Sequence, residues 1–229
     1  MERRLWAGLS FLSALLVSAP LTVESSCSKG CDSALASYYV WEGTDLTNIS
    51  RAFNMEISKI VTYNQDKIPN VNSVQWGIRI NIPFPCDCIE GSFLGHKFTY
   101  QARTGDTYDR IATEWYSNLT TVSWLQRFNN YSATTAIPVN SPLTVTVNCS
   151  CGDAAVSKDY GLFLTYPLRE ENSLESIAAS TNLSIRWIQS YNPGVNFSQG
   201  SGLIYIPAED SNGNYPALTS RYLANRSVC

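Results

Sequence analysis

Residues 98–115 read FTYQARTGDTYDRIATEW and residues 119–129 read LTTVSWLQRFN; together they decide the fold. Phe98-Thr99-Tyr100 is a short aromatic and β-branched run, the composition of a strand. Thr104-Gly105-Asp106 is a polar turn built around a glycine. Asp106 or Thr107 then supplies the side-chain oxygen that caps a helix. Its apolar residues, Tyr108, Ile111, Ala112 and Trp115, sit at offsets of 3, 4 and 7 and so share one face. A second helix carries Val122, Leu125, Gln126 and Phe128 and stops at Asn129-Asn130. Leu143, Val145 and Val147 alternate as a strand. The unit is βααβ, an α+β arrangement in which the first and last strands pair and both helices pack on one face.

The same plan occurs on both sides of this stretch. YVWEGTDLTNISRAF (39–53), ISKIVTYN (57–64) and RINIP (79–83) repeat it upstream. YPLREENSLESIAAS (166–180), LSIRWIQSYN (183–192) and LIYIP (203–207) repeat it downstream. The asparagines closing the middle motifs, Asn64, Asn129 and Asn192, recur at intervals of 65 and 63 residues, so the period is regular. The boundaries expected are a first module at 38–85, a second at 98–148 and a third at 162–208, with a cysteine segment at 26–37 and a polar C-terminal tail at 209–229.

A unit of about 45 residues is small, and cores of that size supply only about 3–5 kcal/mol. Cysteines sit where staples help most: Cys27 and Cys31, then Cys86 and Cys88, then Cys149 and Cys151, with Cys229 left over. Zinc sites favour C-x2-C spacing, which this chain lacks, so disulfides are expected and no metal or cofactor is. Six cysteines allow about 15 pairings. Side chains at i and i+2 of an extended chain leave the same face, so each member of a C-x-C pair is expected to reach a different distant partner. The borders between units are too short for flexible linkers, and one compact cluster is expected.

Export is legible at the N-terminus. Arg3 and Arg4 precede an apolar or small run, Leu5 to Val17, and Val23 and Ser25 fit the small-residue rule for cleavage after Ser25. A bilayer core needs about 20 apolar residues, so this run is expected to be a signal peptide, residues 1–25, and not an anchor. Asn-x-Ser/Thr signals at Asn48, Asn118, Asn130, Asn182, Asn196 and Asn225 agree with a secreted glycoprotein; a seventh, Asn148, abuts Cys149. Net charge is −3, charged residues are 15% and aromatics 12%, with no basic run. That balance argues against nucleic acid and anionic membranes, and it suits contacts with uncharged sugars.

The cysteine pattern C-x3-C…C-x-C…C-x-C around three Asn-closed units resembles the extracellular part of plant LysM receptor-like kinases, the chitin elicitor receptor kinase and Nod-factor receptor kinase group. CDSALASYY (31–39), PFPCDC (83–88), FLGHKF (93–98), GDTYDRIA (105–112), NLTTV (118–122), VNCSCGD (147–153) and SKDYGLFLTYPLR (157–169) carry the likeness, which covers about residues 27 to 216. The resemblance implies three LysM modules packed together and stapled by Cys27–Cys88, Cys31–Cys151 and Cys86–Cys149. It implies a chitin groove on the second module, with Thr104, Gly105 and Asp109 on one side, Val122, Ala133 and Ile137 on the other, and backbone groups from Ser132 to Ala136 between them. It implies an extracellular binder of N-acetylglucosamine oligomers, in recognition and signalling, secreted or on the outer face of the plasma membrane. Its alternatives are a lipo-chitooligosaccharide receptor and a soluble lectin. The implied partners are chitin-derived oligosaccharide and either a second copy brought in by ligand or a LysM co-receptor. Such receptors continue into a membrane helix and a serine/threonine kinase, which these residues do not include, so the resemblance implies an ectodomain or a truncated form.

No catalytic residue is expected. His96 is the only histidine, and it reads as a structural residue beside Phe98; serine and cysteine hydrolase chemistry would need a base of that type. Asp106 and Asp109 at one helix start, and Glu170-Glu171 at another, read as helix-terminal carboxylates and not as a glycosidase pair facing across a cleft. Trp115, Trp124 and Trp187 fall on helical faces and read as core.

Overall fold

The computed structural model describes residues 27–219; the signal-peptide region, Asn225 and Cys229 lie outside them. Unit one comprises β1 (Cys31–Tyr39), α1 (Leu46–Ala52), α2 (Ile57–Thr62) and β2 (Arg79–Ile89). Unit two comprises β3 (Phe93–Gln101), α3 (Tyr108–Arg110, continued by a π-helical turn over Ile111–Trp115), α4 (Val122–Phe128) and β4 (Pro142–Asn148). Unit three comprises β5 (Phe163–Pro167), α5 (Leu174–Thr181), α6 (Ile185–Tyr191) and β6 (Leu203–Pro207). The fold is α+β with three βααβ units, as the repeat predicts.

The helices start where capping residues sit. The side chains of Asp45, Thr107 and Ser173 accept from the backbone N–H of Asn48, Arg110 and Ser176 at the first helix of each unit. Thr121 and Ser184 do the same for α4 and α6. Thr107 is therefore the cap of α3, and Asp106 has another role.

Among the described residues the strands form one six-stranded sheet in the order β4-β3-β2-β1-β5-β6. β1 is the hinge of this order. It pairs antiparallel with β2, from Ala34 opposite Phe84 to Tyr39 opposite Arg79, and parallel with β5 through Leu35 and Ala36. Its two faces serve two cores. Ala34, Ala36 and Tyr38 point into a core shared by units one and two, which includes Phe53, Ile80, Phe84, Phe98, Tyr108, Tyr116 and Leu125. Leu35 points into the core of unit three with Tyr166, Ile177, Ile188 and Ile204. A strand covered on both faces reads as a continuous apolar run, and five consecutive residues of β1 are buried.

The three repeating asparagines act identically. The Asn64 amide donates to Ile60 O and Asn81 O, both at 2.7 Å, and its oxygen accepts from Asn81 N at 2.7 Å. Asn129 makes the same three bonds to Leu125 O, Thr144 O and Thr144 N. Asn192 makes them to Ile188 O, Tyr205 O and Tyr205 N. Each side chain closes the last turn of a second helix and pairs with the outward peptide groups of a closing strand. On β4 and β6, the two edges of the sheet, it occupies groups that would otherwise template another chain.

Three disulfides fasten the units: Cys27–Cys88, Cys31–Cys151 and Cys86–Cys149, spanning 61, 120 and 63 residues of sequence. Cys86 and Cys88, and likewise Cys149 and Cys151, reach different distant partners, and the pairing is the one the resemblance implies. The sulfurs of Cys31, Cys86 and Cys151 lie within 4.8 Å of one another, but all are disulfide-bonded and leave no thiolate for a metal. Residues 209–219, read from sequence as the start of a polar tail, fold back onto the entry to β5: Gly161 N donates to Pro216 O, Leu218 N donates to Lys158 O, and Leu218 is buried.

Candidate functional site: a shallow groove on the second unit

Two loops meet at one end of unit two. The first runs from the end of β3 to the cap of α3, and the second runs from the end of α4 to β4. Ala102 N donates to Ser141 O at 3.0 Å, Asn140 N to Ala102 O at 2.8 Å, and Ile137 N to Asp106 O at 2.8 Å. The two loops are thus joined to each other by backbone bonds.

Asp106 organises the first wall. It is fully buried, and its carboxylate accepts from the Tyr100 hydroxyl at 2.7 Å, from Arg103 N at 2.7 Å and from Trp115 Nε1 at 2.9 Å. Burial, and then the bond to Asp106, push the Tyr100 phenol far above its ordinary range, so it stays protonated and donates. Arg103 stacks 4.1 Å over the Trp115 ring and reaches across to unit one, donating to Asn48 Oδ1 at 2.9 Å. The second wall is tied down by Tyr108, whose buried hydroxyl accepts from Tyr131 N at 3.1 Å. Neither Asp106 nor Tyr108 announces this role in the sequence, where one reads as a cap and the other as a core residue.

The sequence-predicted site residues fall as follows. Thr104 and Gly105 are exposed in the first loop, and Asp109 is exposed on α3, just past it. Gly105 has φ of +79°, a left-handed conformation that favours glycine and keeps the wall free of a side chain. Val122 and Ala133 are half-buried; Ala133 lies in the second loop, whereas Val122 opens α4 and packs against the shared core. Ile137 differs from expectation: only 3% of it is exposed, because its side chain packs in the shared core and only its backbone belongs to the loop. The amides of Thr104, Gly105, Ala133, Thr135 and Ala136 make no hydrogen bond among the described residues. All five residues except Ala133 are exposed. The arrangement is a rigid floor beneath small side chains and free peptide groups.

The other candidates resolve into structural roles. His96 Nδ1 lies 2.6 Å from Asp87 Oδ2, and the ring sits edge-on to Phe98. Glu171 pairs with Arg169. Trp115 packs against the shared core. Trp124 and Trp187 instead belong to aromatic clusters outside it, with Phe93 and Phe128 and with Tyr160 and Tyr191 respectively. The π-helical turn explains a residue the helical spacing missed. Tyr116 N bonds to Ile111 O, one residue further than an α-helix allows, and this brings Tyr116 into the core beside Trp115.

Two family models match the chain: one described as a LYK3/4/5 LysM2 domain over residues 93–147, and one described as a LysM domain over residues 164–207. The chain is 49% identical over 213 residues to chitin elicitor receptor kinase 1 of Arabidopsis thaliana, covering 90% of this chain and 34% of that protein. It is 47% identical over 205 residues to LysM domain receptor-like kinase 3 of Medicago truncatula, covering 87% of this chain and 33% of that protein. It therefore spans about a third of the length of the curated relatives it matches. Two solved structures, the ectodomain of a receptor-like kinase and the LYK3 ectodomain, superpose with TM-scores of 0.80 at 48% and 47% identity, covering 85% of this chain and 100% and 98% of theirs.

Proposed function

We propose that this chain, which belongs to the family of LysM receptor-like kinase ectodomains, binds N-acetylglucosamine oligomers outside the cell through the groove of its second unit. One observation carries the reading. Exposed loops with small side chains and free peptide groups are held over a rigid floor by Asp106, Tyr108 and the Asp106–Ile137 backbone bond. An uncharged acetamido sugar needs donors and acceptors for its amide and a shallow slot for its methyl. The free amides of Thr104, Gly105, Ala133, Thr135 and Ala136 supply donors for the first, and we assign Val122 and Ala133 to the second. Pre-formed bonds between the two loops mean that little ordering entropy is lost on binding.

The protein acts by binding and carries out no chemistry in this part of the chain. The matched solved structures are themselves ectodomains. One shallow groove holds its ligand weakly, so a long chitin oligomer gains by engaging a second copy or a LysM co-receptor. Asn118, Asn130, Asn182 and Asn196 are exposed, which suits glycosylation after export by the N-terminal leader. The test is a calorimetric titration of the secreted chain against chitooligosaccharides of increasing length. Binding that strengthens with length supports the reading; absence of binding at every length removes it.

A further inference from the structure

Two of the three disulfides lie side by side. Cys31 opens β1, Cys86 is opposite it on β2, and Cys149 and Cys151 follow the end of β4. The Sγ atoms of Cys31, Cys86 and Cys151 all lie within 4.8 Å of one another, while Cys31 is bonded to Cys151 and Cys86 to Cys149. Cys149 is outside the trio, so Cys86 Sγ is the sulfur of the second bridge that faces the first. Access to these sulfurs is unequal. Cys86, Cys149 and Cys151 are buried, at 1%, 4% and 2% exposed, whereas Cys31 is half-buried. Cys31 also lines two surface concavities of about 610 and 480 Å³.

The backbone around the trio is held in place without the Cys31–Cys151 bond. Gly30 lies so close to β2 that a Cβ on it would fall 1.8 Å from Cys86 O, and Cys27–Cys88 fastens the start of the same segment. Past Cys151, a Cβ on Gly152 would fall 2.8 Å from the Phe163 ring and from Tyr160 O. A Cys151 sulfur released from Cys31 therefore stays beside Cys86, at a separation that rotation about the cysteine side chains can close. Thiol–disulfide exchange needs only a thiolate, an accessible sulfur and a leaving thiolate. A neighbouring sulfur held in place reacts at high effective concentration.

We propose that Cys31 is a modification site for small-molecule thiols, and that exchange begun there passes on to the Cys86–Cys149 bridge. In the first step the thiolate bonds Cys31 Sγ, and the electron pair of the broken bond leaves on Cys151 Sγ. In the second, Cys151 Sγ bonds Cys86 Sγ, and the pair leaves on Cys149 Sγ. Each step makes one S–S bond and breaks one, so there is no net oxidation or reduction. The products are a thiol-capped Cys31, a Cys86–Cys151 bridge and a Cys149 thiol. A bridge joining units one and two, closed to direct attack by burial, is thereby opened from the surface. The inference is independent of the groove reading.

Cysteamine is the probe, because the rims of the two concavities carry Asp32, Asp87 and Asp210 against Lys29 and so favour a cationic thiol. All proteins carry Cys229→Ser, so that the seventh cysteine supplies no thiol. The secreted protein is exposed to cysteamine for increasing times, quenched in acid, alkylated with N-ethylmaleimide and mapped by peptide mass. The early product should carry cysteamine on Cys31, a Cys86–Cys151 bridge and an alkylated Cys149. Cysteamine appearing first on Cys86, Cys149 or Cys151, or alkylation confined to Cys151 at every time, overturns the proposal. Cys31→Ser isolates the second step: alkylation should be shared between Cys151 and Cys149, and alkylation of Cys151 alone contradicts the relay. Replacing Cys31 and Cys151 together by serine should slow opening of Cys86–Cys149 at least about tenfold, since attack then waits for local unfolding. A wild-type rate in that variant shows direct attack on the buried bridge and also overturns the proposal. Where a serine variant does not fold, the wild-type time course decides alone.

Discussion

At the residue scale, three asparagines and one aspartate do what a small core cannot. Each asparagine satisfies three backbone groups at the junction of a helix and a closing strand, and Asn64 is fully buried while doing so. Truncation would leave those groups buried without partners, a loss of about 1–3 kcal/mol for each group that water cannot reach. Asn64→Ala should therefore lower stability in urea unfolding by about 2–4 kcal/mol with little change in slope, whereas an exposed asparagine such as Asn70 should tolerate alanine with a change of about 0.5 kcal/mol or less. Equal effects at the two positions would contradict the clamp. The period of these residues was legible in the sequence; their geometry was not, because a repeat shows that a position matters but not which backbone groups it meets. Asp106 was legible only as one of two cap candidates, since nothing in a local pattern shows that Tyr100 and Trp115 converge on its carboxylate.

At the element scale, most of the architecture follows from local rules. The caps at Asp45, Thr107, Thr121, Ser173 and Ser184 coincide with polar residues ahead of apolar-periodic runs. Thr107→Ala removes the side-chain acceptor for Arg110 N and should destabilise the chain by about 1 kcal/mol, read as a lowered melting temperature, with Thr107→Ser near wild type. Two features escaped the local rules. The π-helical turn adds a residue to the helical phase, so the 3.6-residue spacing predicted Trp115 and passed over Tyr116, whose hydroxyl bonds Ala52 O across the unit boundary at 2.5 Å. The resemblance placed Ile137 among the groove contacts, yet its side chain turns inward to the core. The direction of a side chain in an irregular loop is set by tertiary packing, which spacing does not encode.

At the scale of the whole molecule, the units hold together through shared burial and covalent staples. Units one and two share a core, and β1 presents its other face to unit three. Arg79 extends this joint, lying 3.9 Å over the Tyr166 ring and donating to Pro167 O at 2.8 Å. Many tyrosines are consumed in this packing. Burial raises the phenols of Tyr38, Tyr100 and Tyr116 far above 10, and raises that of Tyr191 to about 12. In the unfolded chain these phenols ionise near 10, so above that pH the unfolded state binds fewer protons than the folded one. The stabilising contribution is complete below pH 10 and falls as pH rises toward 12, so the melting temperature should drop steeply across that window. Tyrosine absorbance at 295 nm should rise together with unfolding and not before it for the buried set. A flat melting temperature from pH 10 to 12 would contradict the burial.

The central claim is that sugar sits on the second unit, and one measurement addresses it most directly. Ala133 is half-buried in the second loop and is not part of the core, so a tryptophan there obstructs the proposed slot without entering the core. Titration of long chitin oligomers into Ala133→Trp, beside a thermal melt of the same variant, separates binding from folding. The account predicts that binding disappears while the melt stays at the wild-type temperature. Wild-type affinity with an unchanged melt would place the sugar elsewhere and contradict it.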